Sequence, residues 1–74
     1  MSLQDNEKPV LTSRQIEVLS LCANNPNLTV QELAEKLGVV PSTVGNILST
    51  TFMRLGANSR ATAIAEARKL GLIS

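Results

Sequence analysis

The stretch from Val30 to Leu55, VQELAEKLGVVPSTVGNILSTTFMRL, decides how the rest of the chain is read. Val30, Leu33, Ala34 and Leu37 recur three and four residues apart, the spacing that makes one apolar stripe along an α-helix. Gly38 follows, the residue type that ends a helix in the left-handed conformation without steric penalty. Pro41 then suits the first turn of a new helix, where its missing N–H would find no partner in any case. Val44, Ile47, Leu48, Thr51 and Leu55 supply the inner stripe of that second helix. Two helices joined by a short turn containing glycine form the helix-turn-helix pattern. Leu33, Leu37, Val39, Val44 and Ile47 are expected inside, with small Ala34 where the helices cross.

The flanking segments extend this unit. Thr12 with Gln15 three residues on reads as a capping box opening a helix to Ala23. Val18, Leu19 and Cys22 are its core face, joined at the next turn by Pro26, which also forbids continuation. Thr29 with Glu32 repeats the box at the start of the second helix. Arg14 sits beside the positive end of the first helix dipole. It is read as pairing with Glu17 or Glu32, meeting a phosphate, or remaining solvated. After Arg54-Leu55-Gly56-Ala57, either Asn58 or Ser59 can cap a fourth helix from Arg60 to Leu70, stopped by Gly71. Its inner stripe is Ala63, Ile64, Ala67 and Leu70. Residues 1–10 are polar, interrupted by Pro9, without periodicity, and read as a flexible tail or linker. The expectation is an all-α domain over residues 11–74, a four-helix helix-turn-helix domain with the third helix as recognition helix.

Composition narrows the function. With 43% hydrophobic and 18% charged residues, the 74-residue chain has the balance of a folded domain rather than a disordered one. It has no histidine, one cysteine, no glycine-rich phosphate loop after a strand and no clustered carboxylates, so no enzyme chemistry, metal or cofactor is implied. Phe52 is the single aromatic residue, whereas modules for single-stranded nucleic acid stack bases on aromatic side chains. A helix reading double-stranded DNA needs none. Net charge is +1, but from Lys8 onward seven basic residues face four acidic ones, a surplus of three. That surplus predicts modest electrostatic affinity for DNA. Cys22, unpaired and on an apolar helical face, is expected to be buried and reduced, in keeping with a cytoplasmic protein. No apolar run reaches the ~18 residues of a membrane span, and no signal-peptide pattern opens the chain.

On the third helix the outward residues are Ser42, Gly45, Asn46, Ser49 and Met53. Asn46 is the strongest candidate base reader, because an amide can bond adenine N6 and N7 together. Ser42 and Ser49 can bond bases or phosphates, and Gly45 admits close approach of the backbone. The competing interpretation is a plain solvated face. Gly45 weighs against it, since glycine inside a helix costs about 0.5–1 kcal/mol relative to alanine. Thr29 begins a helix whose free N–H groups suit a DNA phosphate. Ala61 and Ala65 leave one face of the fourth helix small enough for a second copy to approach closely.

Taken together the chain resembles a LuxR-type helix-turn-helix domain, the output domain of NarL/FixJ-type response regulators. The resemblance runs from Leu11 to Ile73. It is carried by Leu11-Thr12-Ser13-Arg14, Glu17-Val18-Leu19, Thr29, Glu32-Leu33-Ala34, Leu37-Gly38-Val39 and Thr43-Val44. Arg54-Leu55-Gly56-Ala57, Arg60, Ala63-Ile64 and Gly71-Leu72 complete it. It implies a transcriptional regulator that binds double-stranded DNA as a homodimer through the fourth helix, where Ala61, Ala65 and Arg68 fall. It places base reading on Gly45, Asn46 and Ser49, and phosphate contacts near Thr29, Gln31, Thr43 and Arg54. It also implies an upstream receiver or ligand-binding domain in many members, although some stand alone. The family often has a basic residue where Gly45 stands, a histidine where Ile47 stands, and Ser or Thr where Val40 stands. Between Lys36 and Arg54 this chain has no charge at all. The alternative is therefore the same fold used as a protein-interaction module, with DNA binding weakened or lost.

Overall fold

A computed structural model describes residues 11–74; the tail or linker expected over residues 1–10 lies outside them. Four helices follow one another: α1 (Ser13–Asn24), α2 (Val30–Leu37), α3 (Pro41–Leu55) and α4 (Arg60–Lys69). No strand occurs among the described residues. The all-α architecture matches the expectation, with boundaries shifted by a residue at the ends of α1 and α4.

Local chemistry sets most of these ends. The Thr12 hydroxyl accepts the Gln15 N–H at 3.1 Å while Gln15 Oε1 accepts the Thr12 N–H at 2.8 Å. Thr29 and Glu32 form the same reciprocal pair at 3.1 and 2.9 Å. Each box satisfies two backbone donors that a helix start leaves open. Ser59 is the cap chosen for α4, its hydroxyl accepting the Thr62 N–H at 3.2 Å. Val40 occupies the cap position of α3 and offers no side-chain bond, so Pro41 alone favours that start. At the end of α2, Gly38 takes φ 70° and the Val39 N–H reaches back to the Ala34 carbonyl at 3.0 Å. This reverses the chain in two residues and delivers it to α3.

α3 packs against each of the other three helices, and α4 also lies on α1. Two clusters make the core. Val18, Cys22, Leu33, Ala34, Val44 and Leu48 knit α1, α2 and α3 together. Leu11, Leu19, Leu55, Ala63, Ala67 and Ile73 join α1, the end of α3, α4 and the C-terminal residues. Phe52 and Ile64 touch both clusters, so the two are continuous. Leu37, Val39 and Ile47 lie half-buried at the rim. Pro26 departs from its expected place. α1 ends at Asn24, and Pro26 is exposed in the following turn rather than extending the core face. The Asn25 N–H makes the last helical bond, to the Leu21 carbonyl, and Asn25 itself leaves the helical region at φ −138° and ψ 74°, as the residue before a proline favours.

Two polar links across the core have no local sequence signal. Gln15 is buried, and the amide whose oxygen completes the first capping box donates through Nε2 to the Thr50 hydroxyl of α3 at 3.2 Å. The Arg60 guanidinium donates to the Leu28 carbonyl, tying the start of α4 to the α1–α2 turn. That carbonyl is otherwise in a loop, where a missing partner would be costly once part-buried.

Candidate nucleic-acid interface

The inner stripe of α3 is fixed by burial of Val44, Leu48, Thr51 and Leu55. At 3.6 residues per turn this turns Ser42, Asn46, Ser49 and Met53 to the opposite side, and all four are exposed. Met53 is 77% exposed, and Val40, just before the helix, is 60% exposed. The side chains of Ser42, Asn46 and Ser49 make no hydrogen bond to any described residue, so their donors and acceptors are open to a ligand. The backbone beneath them is held differently. The Thr50 hydroxyl back-bonds to the Asn46 and Ile47 carbonyls at 3.1 and 3.0 Å, and the Thr51 hydroxyl to Ile47 at 2.6 Å. β-Branched residues, weak helix formers by themselves, are thereby anchored to the turn below.

Gly45 flanks this stripe. A β-carbon built there would meet nothing within 4 Å, and the residue does not have positive φ. Neither packing nor backbone geometry within the chain asks for glycine at this position.

The residues expected to contact phosphates differ in exposure. Thr29 and Gln31 are exposed at the start of α2. The Thr29 N–H and one lone pair of its hydroxyl are committed to the capping box, leaving the hydroxyl proton and the following amides for an anion. The Glu32 carboxylate held in that box adds a negative charge which a phosphate must tolerate. Thr43 is half-buried in the first turn of α3. Arg54 is exposed in its last turn and, with Gln15, Thr50 and Met53, lines an open groove of about 440 Å³ between α1 and α3. Arg14 resolves to the local pairing, its guanidinium 3.3 Å from Glu17 on an exposed face. Such a pair contributes little, about 0–1 kcal/mol.

On α4, Ala63 and Ala67 are buried while Ala61, Ala65 and Arg68 are exposed together on the far side. Arg68 Nε donates to the Ser74 backbone oxygen at 3.1 Å, so this cation is occupied in securing the C-terminus of its own chain. Cys22 is fully buried. Burial pushes its thiol above the usual range, partly offset by the positive charge of Arg60.

Comparison with known proteins places this arrangement. A family model described as MarR family matches residues 11–50, more than half of the chain. The chain belongs to the MarR family. The MarR match runs from the residue before the first capping box to Thr50, covering α1, α2 and two thirds of α3, and stops short of α4. A solved structure titled transcription factor GerE is similar over more of the chain. It shares 31% identity with a TM-score of 0.77, covering 86% of this chain and 92% of that one. No curated protein matches. The two findings agree on a helix-turn-helix DNA-binding domain of the kind found in transcription regulators. The matching family model is MarR rather than the LuxR type that the residues resemble. No helix among the described residues is long and apolar enough to cross a membrane.

Proposed function

We propose that the chain is a transcriptional regulator that binds double-stranded DNA in a sequence-dependent manner, as a dimer, with α3 in the major groove. Gly45 carries this reading. A glycine costing the helix about 0.5–1 kcal/mol, with open space beyond it and no φ requirement, is accounted for by a partner's close approach. Ser42, Gly45, Asn46 and Ser49 then form the base-reading surface. Thr29, Gln31, Thr43 and Arg54 contact phosphates and set the register. Ala61, Ala65 and Arg68 form the pairing face of α4. The LuxR subtype belongs to the same proposal. It is supported by the four-helix order without a strand among the described residues and by the 31% identity to GerE, which extends beyond the MarR match. That subtype carries with it a cytoplasmic location and, in many but not all of its members, an upstream receiver or ligand-binding domain.

The protein-interaction reading has one specific support, exposed Met53 and Val40 on a surface without charge from Leu37 to Met53. Selection from random duplex DNA, followed by titration of the winner at two salt concentrations, separates the readings. An enriched repeat with spacing suited to a dimer is the expected result. Absence of enrichment, with only feeble salt-sensitive binding, would overturn base reading and favour a protein partner.

A further inference from the structure

A groove-reading surface can be decoded from what it lacks as well as from what it presents. In the major groove, guanine offers two acceptors, O6 and N7, best met by the paired donors of Arg or the ammonium of Lys. Adenine offers an acceptor beside a donor, matched by the amide of Asn or Gln. Thymine offers a methyl group, matched by an apolar side chain. The outward side of α3 has the second and third of these and none of the first.

No lysine or arginine lies between residues 37 and 53. The cations nearest in the chain flank the stripe rather than lie on it: Lys36 ends α2, and Arg54 follows Met53 and shares with it, Gln15 and Thr50 the groove between α1 and α3. Arg14, Arg60 and Arg68 are engaged with Glu17, the Leu28 carbonyl and the Ser74 backbone oxygen. At the centre of the stripe Asn46 is exposed, with its amide uncommitted among the described residues. At the C-terminal end of the stripe is an exposed apolar side chain, Met53; a second, Val40, lies in the extended residue before the helix begins. Val40 is 60% exposed at a cap position where Ser or Thr would have bonded the helix start, and Met53 is 77% exposed.

We propose that the outward stripe of α3 selects an A·T-rich core in the major groove, with Asn46 bonded to an adenine and Met53 set against a thymine methyl group. This rests on the DNA-binding reading above and specifies the ligand of that same surface. Ser42 and Ser49, able to donate or accept, tolerate more than one base and add hydrogen bonds without deciding the composition.

The test takes the site enriched by the 74-residue chain from random duplexes and substitutes its bases singly. Uracil for thymine removes only the methyl group, and 7-deazaadenine for adenine removes only N7. An A·T-rich core is expected, with about a fourfold loss when the covered methyl is removed. A loss of about ten- to a hundredfold is expected when the adenine read by Asn46 is altered. In Asn46→Ala that adenine discrimination should vanish while non-specific binding stays unchanged and the thermal unfolding temperature does not fall. An enriched core centred on guanine would overturn the assignment yet leave DNA reading intact. An A·T-rich core indifferent to both base analogues would also overturn it, since the preference would then come from duplex shape. No enrichment at all would remove the assignment together with the DNA reading beneath it.

Discussion

On the proposed reading, Gly45 links stability and recognition at a single position. Because a β-carbon there meets nothing, Gly45→Ala should stabilise the free protein by about 0.5–1 kcal/mol. That corresponds to a rise in Tm of about 2–8 °C for a domain of this size. Specific DNA affinity should fall in the same variant, because the added methyl stands where the groove approaches. Calorimetry and a DNA titration read the two effects separately; a more stable variant with undiminished specific affinity would mean that the glycine does not face bases. Cys22 makes a second prediction from one residue. Its folded-state thiol is raised above the ordinary value of 9.0 because burial disfavours the thiolate. The unfolded chain therefore ionises first as pH rises. The associated stability is complete below about pH 9 and is lost as pH climbs through the folded-state value. Urea unfolding of wild type and Cys22→Ala, compared at pH 7 and above pH 9, should show a shallower alkaline decline in the variant. Identical declines would assign that pH dependence to other groups.

At the scale of elements, the helix starts differ in a way that mutation can read. Thr29→Ala removes a complete capping box and should cost about 0.5–2 kcal/mol, whereas Val40→Ser supplies the hydroxyl that α3 lacks and should gain a comparable amount. Denaturant midpoints at constant slope would check both; a destabilised Val40→Ser would show that its half-buried remainder matters more than the absent cap. These boxes were readable in the sequence because a hydroxyl and its partner three residues away are all they require. The same holds for Gly38, for the buried stripe of α3 and for the outward stripe opposite it. Other features were hidden for a physical reason. Gln15 bonds Thr50 across 35 residues and Arg60 bonds Leu28 across 32. Such pairings follow only from how helices cross. Pro26 does stop α1, but it is exposed in the turn rather than on the core face, because the chain has already left the helical spiral at Asn25. The outward position of Asn46 was legible, but the absence of a hydrogen bond to its side-chain amide among the described residues was not, since any neighbouring helix could have claimed the amide.

For the whole molecule, charge and symmetry set how a neutral reading helix could still hold DNA. With a surplus of only three positive charges from Lys8 onward, each copy can neutralise few phosphates, and Arg54 is the cation that shares a groove with Met53 of the proposed reading surface. Its replacement by alanine should weaken all sequences alike and flatten the salt dependence by about one phosphate, a change in slope of about 0.9. An unchanged slope would count against a phosphate contact. Affinity this limited per monomer favours using two copies, because joining two half-sites multiplies modest binding without new contacts to either. α4 is suited to that role by what it leaves outside. Ala63 and Ala67 serve the monomer's core, while Ala61 and Ala65 are exposed with no internal duty. Ala65→Glu should consequently leave folding within about 0.5 kcal/mol of wild type, yet place like charges against each other across a close helix pair. Sedimentation of both proteins, free and on a duplex carrying two half-sites, distinguishes the possibilities. The wild type should associate at least on DNA, with half-site centres about 34 Å apart or a multiple of it, and Ala65→Glu should bind as a monomer with shallower occupancy. If wild type remains monomeric in both states, or if the glutamate changes nothing, α4 is not the pairing surface. The small residues would then be helix formers alone, and the affinity would have to come from one copy.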